Sequence, residues 1–254
     1  MAYNLAELKT NLAKPPRICI YGGEGVGKTT FACKANKPFV LNLEDGIPPA
    51  LASVPNVLVK TYAECMDVLE ALYTQEHDFK TVVVDSLDVI EEMITHKVCV
   101  ENRYTDISKG AYGAGYQART AVWANFFKCL DLLREKGMTI ILIAHAAVVK
   151  VADPLLPEYD KQSVHLYKTE SLRVVEWCDV VGYALVKTYT TNDGKRNLAT
   201  TAGEHVILTH SNPAYTAKTR YEMPDEIPMV WSEFAKYLYP TEQTENTKKT
   251  NKEN

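Results

Sequence analysis

Residues 17–29, RICIYGGEGVGKT, constrain this chain more than any other stretch. Arg17 to Tyr21 has the pattern of a short buried strand. It runs into Gly22-Gly23-Glu24-Gly25-Val26-Gly27-Lys28-Thr29, which fits G-x-x-x-x-G-K-S/T, and helix-like sequence follows from Lys28 through Thr30. Strand, glycine loop and helix, in that order, make a phosphate cradle. Glycines let the backbone wrap close enough to aim N–H groups at an anion. The helix N-terminus adds favourable potential. Lys28 is expected to reach the β- and γ-phosphates and the Thr29 hydroxyl to ligate Mg²⁺. ATP and Mg²⁺ are therefore the expected cofactors, with Gly22 to Thr30 as the binding segment.

The rest of the chain narrows the class. Its 254 residues are 46% hydrophobic and 24% charged, values of an ordinary globular protein. The longest apolar run, about Met138 to Val149, is interrupted by Thr139 and His145, and a bilayer span needs ~20 residues. No membrane role is expected. The N-terminus lacks the apolar stretch of a secretory signal, and the six cysteines form no CxxC pair. Reduced thiols in a cytoplasmic protein are the expectation. The six histidines contain no HExxH. A pI near 5.9 argues against holding nucleic acid by bulk charge alone.

Strand and helix patterns alternate. Strands are expected at Phe39–Leu43, Val57–Val59, Thr81–Asp85 and Met138–Ala144, and helices at Tyr62–Tyr73, Leu87–Val100 and Ala118–Lys136. That order points to an α/β fold with a mostly parallel central sheet flanked by helices. From Asp179 the texture changes. Strand-like Asp179–Thr191, the turn signal Asn192-Asp193-Gly194 and strand-like Glu204–Thr209 predict an antiparallel extension, and Val230–Tyr239 reads as a last helix. The expected organisation is an N-terminal segment 1–16 able to bridge subunits, one domain over 17–240, and a disordered polar tail over 241–254 that holds no apolar residue.

The partner of a phosphate loop is an apolar strand ending in Asp. TVVVD fits, so Asp85 is expected in the Mg²⁺ shell, through water, near Thr29. Ser86 follows Asp85 where many ATPases carry a Glu, so the base for the attacking water must come from elsewhere. Glu44 is the first choice, because it ends a strand able to lie beside the phosphate-loop strand, with its carboxylate at the ligand edge of the sheet. Asp45 is the second choice, and a helix cap or solvated turn is the competing reading. The strand MTIILIA ends in His145, placed to hydrogen-bond a γ-phosphate; a core histidine satisfied by backbone competes. Lys218 and Arg220, two cations at i and i+2 on an extended segment, point the same way. They are candidates for reaching a neighbouring subunit's γ-phosphate, against a solvated basic pair.

Together these residues resemble the RecA/KaiC-type P-loop ATPases, and most of all phage-encoded RecA-like proteins, some of which are single-strand annealing proteins (Sak type). The phosphate loop, Glu44, TVVVD followed by Ser, His145 and the K-x-R pair carry the likeness, as do the segments LNLEDG, GAYGAGY, EWCDVVGYAL and KTRYEMPDEIP. It covers roughly 17–240. The resemblance implies a RecA-like fold, Glu44 as base, His145 as γ-phosphate sensor, and Lys218 and Arg220 as a trans-acting pair. It also implies an oligomer, ring or filament, acting on single-stranded DNA in phage recombination or replication, with a single-strand DNA-binding protein as a possible partner.

RecA-like proteins use two loops for DNA. The first corresponds here to Arg103–Arg119, a glycine-rich stretch expected to be mobile, with Lys109, Tyr112 and Tyr116 as contacts. The second corresponds to Ala146–Lys168, with Lys150 and Lys161. Base–aromatic stacking is worth ~1–3 kcal/mol per base. Residues 146–170 carry three Lys against four Asp or Glu, and a flexible lid or oligomer contact is the alternative for each loop. Two other function classes stand beside this one. A nucleotide-gated protein that docks a protein partner is hard to separate by sequence. A small-molecule kinase fits less well, because none of the seven arginines cluster into a lid. A GTPase lacks its guanine-reading N-K-x-D.

Overall fold

The computed structural model describes residues 14–192 and 197–239, the side chains of 190–192 and 197–202 excepted. The expectations for residues 1–13, for the turn at Asp193-Gly194 and for the 241–254 tail lie outside the described residues.

Every central strand of the sheet is apolar on both faces. In β1 (Arg17–Gly22), Ile18 and Ile20 enter one core cluster while Cys19 and Tyr21 enter the other. In β4 (Thr81–Asp85), all five residues are buried, with Val82 and Val84 on one side and Val83 on the other. A strand with two buried faces needs helices on both sides, and the chain supplies them. On one face lie α2 (Tyr62–Thr74), α3 (Leu87–Asn102), α4 (Ala114–Glu135) and α5 (Lys168–Trp177). On the other lie α1 (Lys28–Ala32) and α6 (Trp231–Leu238). The larger core centres on Trp123, Phe126 and Leu130 of α4, all fully buried.

The remaining strands are β2 (Pro38–Asn42), β3 (Asn56–Leu58), β5 (Thr139–Val151), β6 (Tyr159–Val164), β7 (Val180–Asn192), β8 (Asn197–Leu208), β9 (Lys218–Thr219) and β10 (Glu226–Pro228). The sheet runs β10-β8-β7-β1-β5-β4-β2-β3, with β6 paired to β5 and β9 to β7. The stretch β7-β1-β5-β4-β2-β3 is parallel, and β8, β10, β9 and β6 join antiparallel. This is a P-loop α/β NTPase fold with a mixed sheet toward the C-terminus. Among the described residues no helix is long and apolar enough to cross a membrane.

Three expectations need correction. First, β2 does not lie beside β1: β5 and β4 stand between them. Apolar strand sequences specify burial but not neighbour order. Second, β5 continues six residues past His145 and turns back as β6, so residues 146–164 form an antiparallel hairpin where a loop was expected. Its Val148-Val149-Lys150-Val151 pairs with Tyr159–Gln162 instead of packing on the core. Third, the stretch expected as a loop over Arg103–Arg119 is shorter, with 3-10 turns at Ile107–Lys109 and Ala111–Gly113 and a helix that starts at Ala114. A Cβ on Gly115 would come within 2.1 Å of the Ile107 carbonyl oxygen. That glycine serves a close backbone approach within the first turn of α4.

Candidate active site

The carboxyl ends of β1, β4, β5 and the segment after β2 converge at one edge. Gly22 closes β1 against β7, where an added Cβ would meet the Ala184 carbonyl oxygen at 2.2 Å. The loop then turns through positive φ at Gly25 and Gly27 and enters α1. Val26 is buried in the smaller core, and the His205 ring donates from Nδ1 to its carbonyl at 2.8 Å. Glu24, Gly25 and Thr30 are exposed.

Lys28 folds back over the loop. Its Nζ donates to the carbonyls of Gly22 at 3.0 Å and Gly23 at 2.8 Å. The Thr29 hydroxyl donates to Asp85 Oδ2 at 2.6 Å, across strands set apart by β5. Burial lowers the Lys28 pKa, although Asp85, Glu44 and Asp88 pull it the other way. Burial likewise raises the Asp85 carboxyl. Thr29's hydrogen bond opposes that rise and the nearby Glu44 charge adds to it. A desolvated carboxylate beside a second carboxylate is suited to a divalent cation, whose charge offsets both costs. Thr29 and Asp85 thus fit Mg²⁺, and Lys28 with the Gly22–Thr29 loop fits the phosphates of a nucleotide.

Glu44, one residue beyond Leu43 whose N–H bonds the Asp85 carbonyl, reaches the same edge although β2 is three strands from β1. Its Oε1 accepts from the Ser86 hydroxyl and lies 3.8 Å from His145 Nδ1. Asp45 is exposed with φ of 54°. His145 sits in β5, between β1 and β4, half-buried and not a core histidine. The structure therefore brings Lys28, Thr29, Asp85, Glu44 and His145 together.

A family model described as an AAA domain matches residues 14–221. The chain belongs to the AAA domain family. AAA domains generally bind and hydrolyse nucleotide, typically with Mg²⁺. This AAA domain is also similar to the SPbeta prophage-derived uncharacterized protein YorG of Bacillus subtilis (strain 168), with 30% identity over 151 residues. That match takes in 57% of this chain and 45% of the relative, so it spans less than half of the relative's length.

The AAA domain places the K-x-R pair elsewhere. β9 pairs with the start of β7, so Lys218 lies level with Val181 and Cys19, at the amino end of the sheet. Arg220 follows at the level of Arg17, roughly 16 Å along β1 from the phosphate loop at ~3.3 Å per residue. Lys218 Nζ donates to the carbonyls of Val175, Glu176 and Cys178 at 2.7–2.9 Å, capping α5. Arg220 Nη1 bonds Asp179 Oδ1 at 2.8 Å. Neither side chain reaches its own chain's phosphate loop.

The other candidates divide similarly. Tyr112 is fully exposed and Lys109 and Lys150 are exposed. Tyr116 is engaged within the AAA domain, stacked on Tyr167 at 5.3 Å with the Arg119 guanidinium over both rings. Lys161 is half-buried and donates to Ser211 Oγ at 3.3 Å. A groove of about 1160 Å³ lies between α2 and α3; Glu44 and Asp45 are among its lining residues, but no phosphate-loop residue lines it. Phosphate recognition here depends on backbone and Lys28 at an open edge, so cavity size is a poor guide to it.

Sequence reading missed Asp88. It lies on the first turn of α3, and its oxygens lie within 4.8 Å of ligand atoms of Glu44 and His145. The signal was present in Asp85-Ser86-Leu87-Asp88: three residues after a strand-ending Asp, the next helix turn faces the same edge.

Proposed function

We propose that this AAA domain is a Mg²⁺-dependent ATPase of the RecA class that works as an oligomer on single-stranded DNA, in the annealing or strand-pairing steps of phage recombination or replication. One observation carries the ATPase part: Thr29 bonded to Asp85 at 2.6 Å, with Lys28 on one side and Glu44 on the other. Bound Mg²⁺ supplies charge neutralisation along the phosphates. Lys28 and the loop amides bind the β- and γ-phosphates. Glu44, oriented by the Ser86 hydroxyl, takes the proton of the attacking water, and His145 contacts the γ-phosphate. Obtaining the base from the second strand, with Ser after the metal Asp, supports the RecA class.

The DNA part draws on the exposed Tyr112, flanked by Lys109, and on Lys150 of the hairpin. Tyr116 and Tyr167 join the two segments at one face. The prophage origin printed for the similar Bacillus protein fits the phage setting. The deciding assay is ATP hydrolysis at low salt with and without a single-stranded oligonucleotide. Stimulation is expected in the wild type, and hydrolysis is lost in Lys28→Ala. Hydrolysis indifferent to the oligonucleotide removes the DNA part, and normal turnover in Lys28→Ala removes the site assignment. A second reading, nucleotide-gated docking of a protein partner, draws on Leu155 and Leu156, both exposed at the hairpin tip. Salt-sensitive oligonucleotide binding favours the first reading.

The trans role of Lys218 and Arg220 belongs to the same proposal. Arg220 is about half exposed, and a neighbouring subunit's phosphate would compete with Asp179 for it. Arg220→Ala is expected to lower the turnover of the assembled protein by ~10³-fold or more while nucleotide binding persists. Unchanged turnover removes the trans role.

A further inference from the structure

Asp88 has both carboxylate oxygens committed. Oδ2 accepts from the backbone N–H of His145 at 2.9 Å and lies 3.3 Å from His145 Nδ1. Oδ1 lies 2.9 Å from His165 Nδ1. The backbone ties the same two residues together, since the His165 N–H donates to the His145 carbonyl at 2.9 Å. One turn further along α3, Glu91 accepts from the Tyr167 N–H at 3.0 and 3.1 Å. Asp88 and Glu91, at i and i+3, share one helix face, and that face holds residues 165–167 where the chain leaves the β5–β6 hairpin. Tyr167 stacks in turn on Tyr116 at the start of α4. A contiguous set of contacts thus leads from His145, at the phosphate edge, to the face carrying the hairpin and the α3–α4 connection.

We propose that Asp88 is a positioning residue that makes His145 and His165 one unit, so that nucleotide binding at the phosphate edge is transmitted to the hairpin. The inference rests on the assignment of His145 to the γ-phosphate edge and goes beyond it. A carboxylate only accepts, so the His165 ring is held by donation from Nδ1, while His145 is held by donation from its backbone N–H, its Nδ1 lying 3.3 Å from the same oxygen. A displacement of the His145 backbone or of the His165 ring costs a charge-assisted hydrogen bond to a half-buried carboxylate. His165, 64% exposed in its side chain, is joined to the phosphate edge by the Asp88 carboxylate at its ring and by its backbone bond to the His145 carbonyl, and only the first of these links holds the ring.

The test reads the ring nitrogens of the full chain by ¹⁵N NMR, with and without a non-hydrolysable ATP analogue and Mg²⁺. In the wild type the analogue is expected to shift the signals of both His145 and His165. In Asp88→Asn, which keeps the side chain's size, it is expected to shift His145 but not His165. Steady-state assays accompany the spectra. Asp88→Asn is expected to lower kcat about 10–100-fold with KM for ATP within about twofold, as loss of an orienting partner does. His165→Gln is expected to keep unstimulated hydrolysis and lose stimulation by the oligonucleotide. A wild-type spectrum in which His145 shifts and His165 does not overturns the coupling alone. A His165 shift that survives in Asp88→Asn overturns the role of Asp88. No shift at either ring, with the same result in Lys28→Ala, overturns the nucleotide-site reading together with this inference.

Discussion

Glu44→Gln is expected to lower ATP hydrolysis by ~10²–10⁴-fold, the range for loss of a positioned general base, while nucleotide affinity stays near wild type. The glutamine keeps the length of the side chain and can still accept from the Ser86 hydroxyl, as Glu44 does. It cannot take a proton from water. Glu44 is suited to the task because only a third of its side chain is exposed and Ser86 holds it, while His145 and Asp85 crowd the same edge. Single-turnover hydrolysis together with binding of a fluorescent nucleotide separates the two effects. Lys28→Ala should lose both, because Lys28 itself meets the phosphates. Full turnover in Glu44→Gln would move the base to another residue, and Asp45 is the next to test.

The largest effect on stability is expected at Asp179, far from that chemistry. Its buried carboxylate gathers three guanidinium groups: Arg17 Nη2 at 3.0 Å, Arg134 Nη2 at 3.0 Å and Arg220 Nη1 at 2.8 Å. It also accepts the backbone N–H of Arg17, the first residue of β1. Asp179→Asn removes the carboxylate shared by Arg17 and Arg134, whose side chains are only 13% and 16% exposed, and leaves Arg17 with Asp131 at 3.3 Å and Arg134 with the Pro15 carbonyl. Breaking a buried pair this way costs ~3–5 kcal/mol, and denaturant unfolding at pH 7 should show it. The pH dependence has a definite sign. Burial alone would raise the Asp179 carboxyl, but its hydrogen bonds and charge contacts with Arg17, and the charge of Arg134, bring it below its ordinary 3.8. A carboxyl lowered in the folded state stabilises the fold at pH above 3.8 and loses that contribution as pH falls through the lower folded value. Wild type should therefore lose stability on acidification in a step that Asp179→Asn lacks. Equal acid profiles for the two proteins would remove Asp179 as the source.

Much of the site was legible because its parts are local. A phosphate loop is one contiguous strand–loop–helix unit, so Gly22 to Thr29 can be read with no knowledge of the fold. Asp85 and His145 were legible because each follows an apolar strand, and a parallel α/β sheet collects the carboxyl ends of its strands at one edge. Glu44 was reached by the same rule, but with the wrong neighbour. The expectation put β2 beside β1, and the structure puts it beyond β5 and β4. The residue still arrives, because the edge is shared by all these strands and Ser86, next to Asp85, meets it there. Asp88 was passed over because its function depends on which turn of α3 faces that edge. The hairpin 146–164 was read as a loop because Val148–Val151 pairs with β6 and not with the core, so its apolar residues carry no core period.

The nucleotide-binding loop, the strands with two buried faces and so the class of fold are all readable from the order of the amino acids. These follow from short-range chemistry: glycine conformations, β-branched runs and the spacing of Lys28 and Thr29. Long-range packing sets the strand order, the meeting of Thr29 with Asp85 at 2.6 Å, and the placement of Lys218 and Arg220 away from the loop, toward the amino end of the sheet. It also decided that Asp179 would collect arginines from β1, α4 and the segment after β9. Those partners lie 41 to 162 residues away in sequence. Contacts of that range are set by how whole strands and helices pack. No local pattern of residues encodes them.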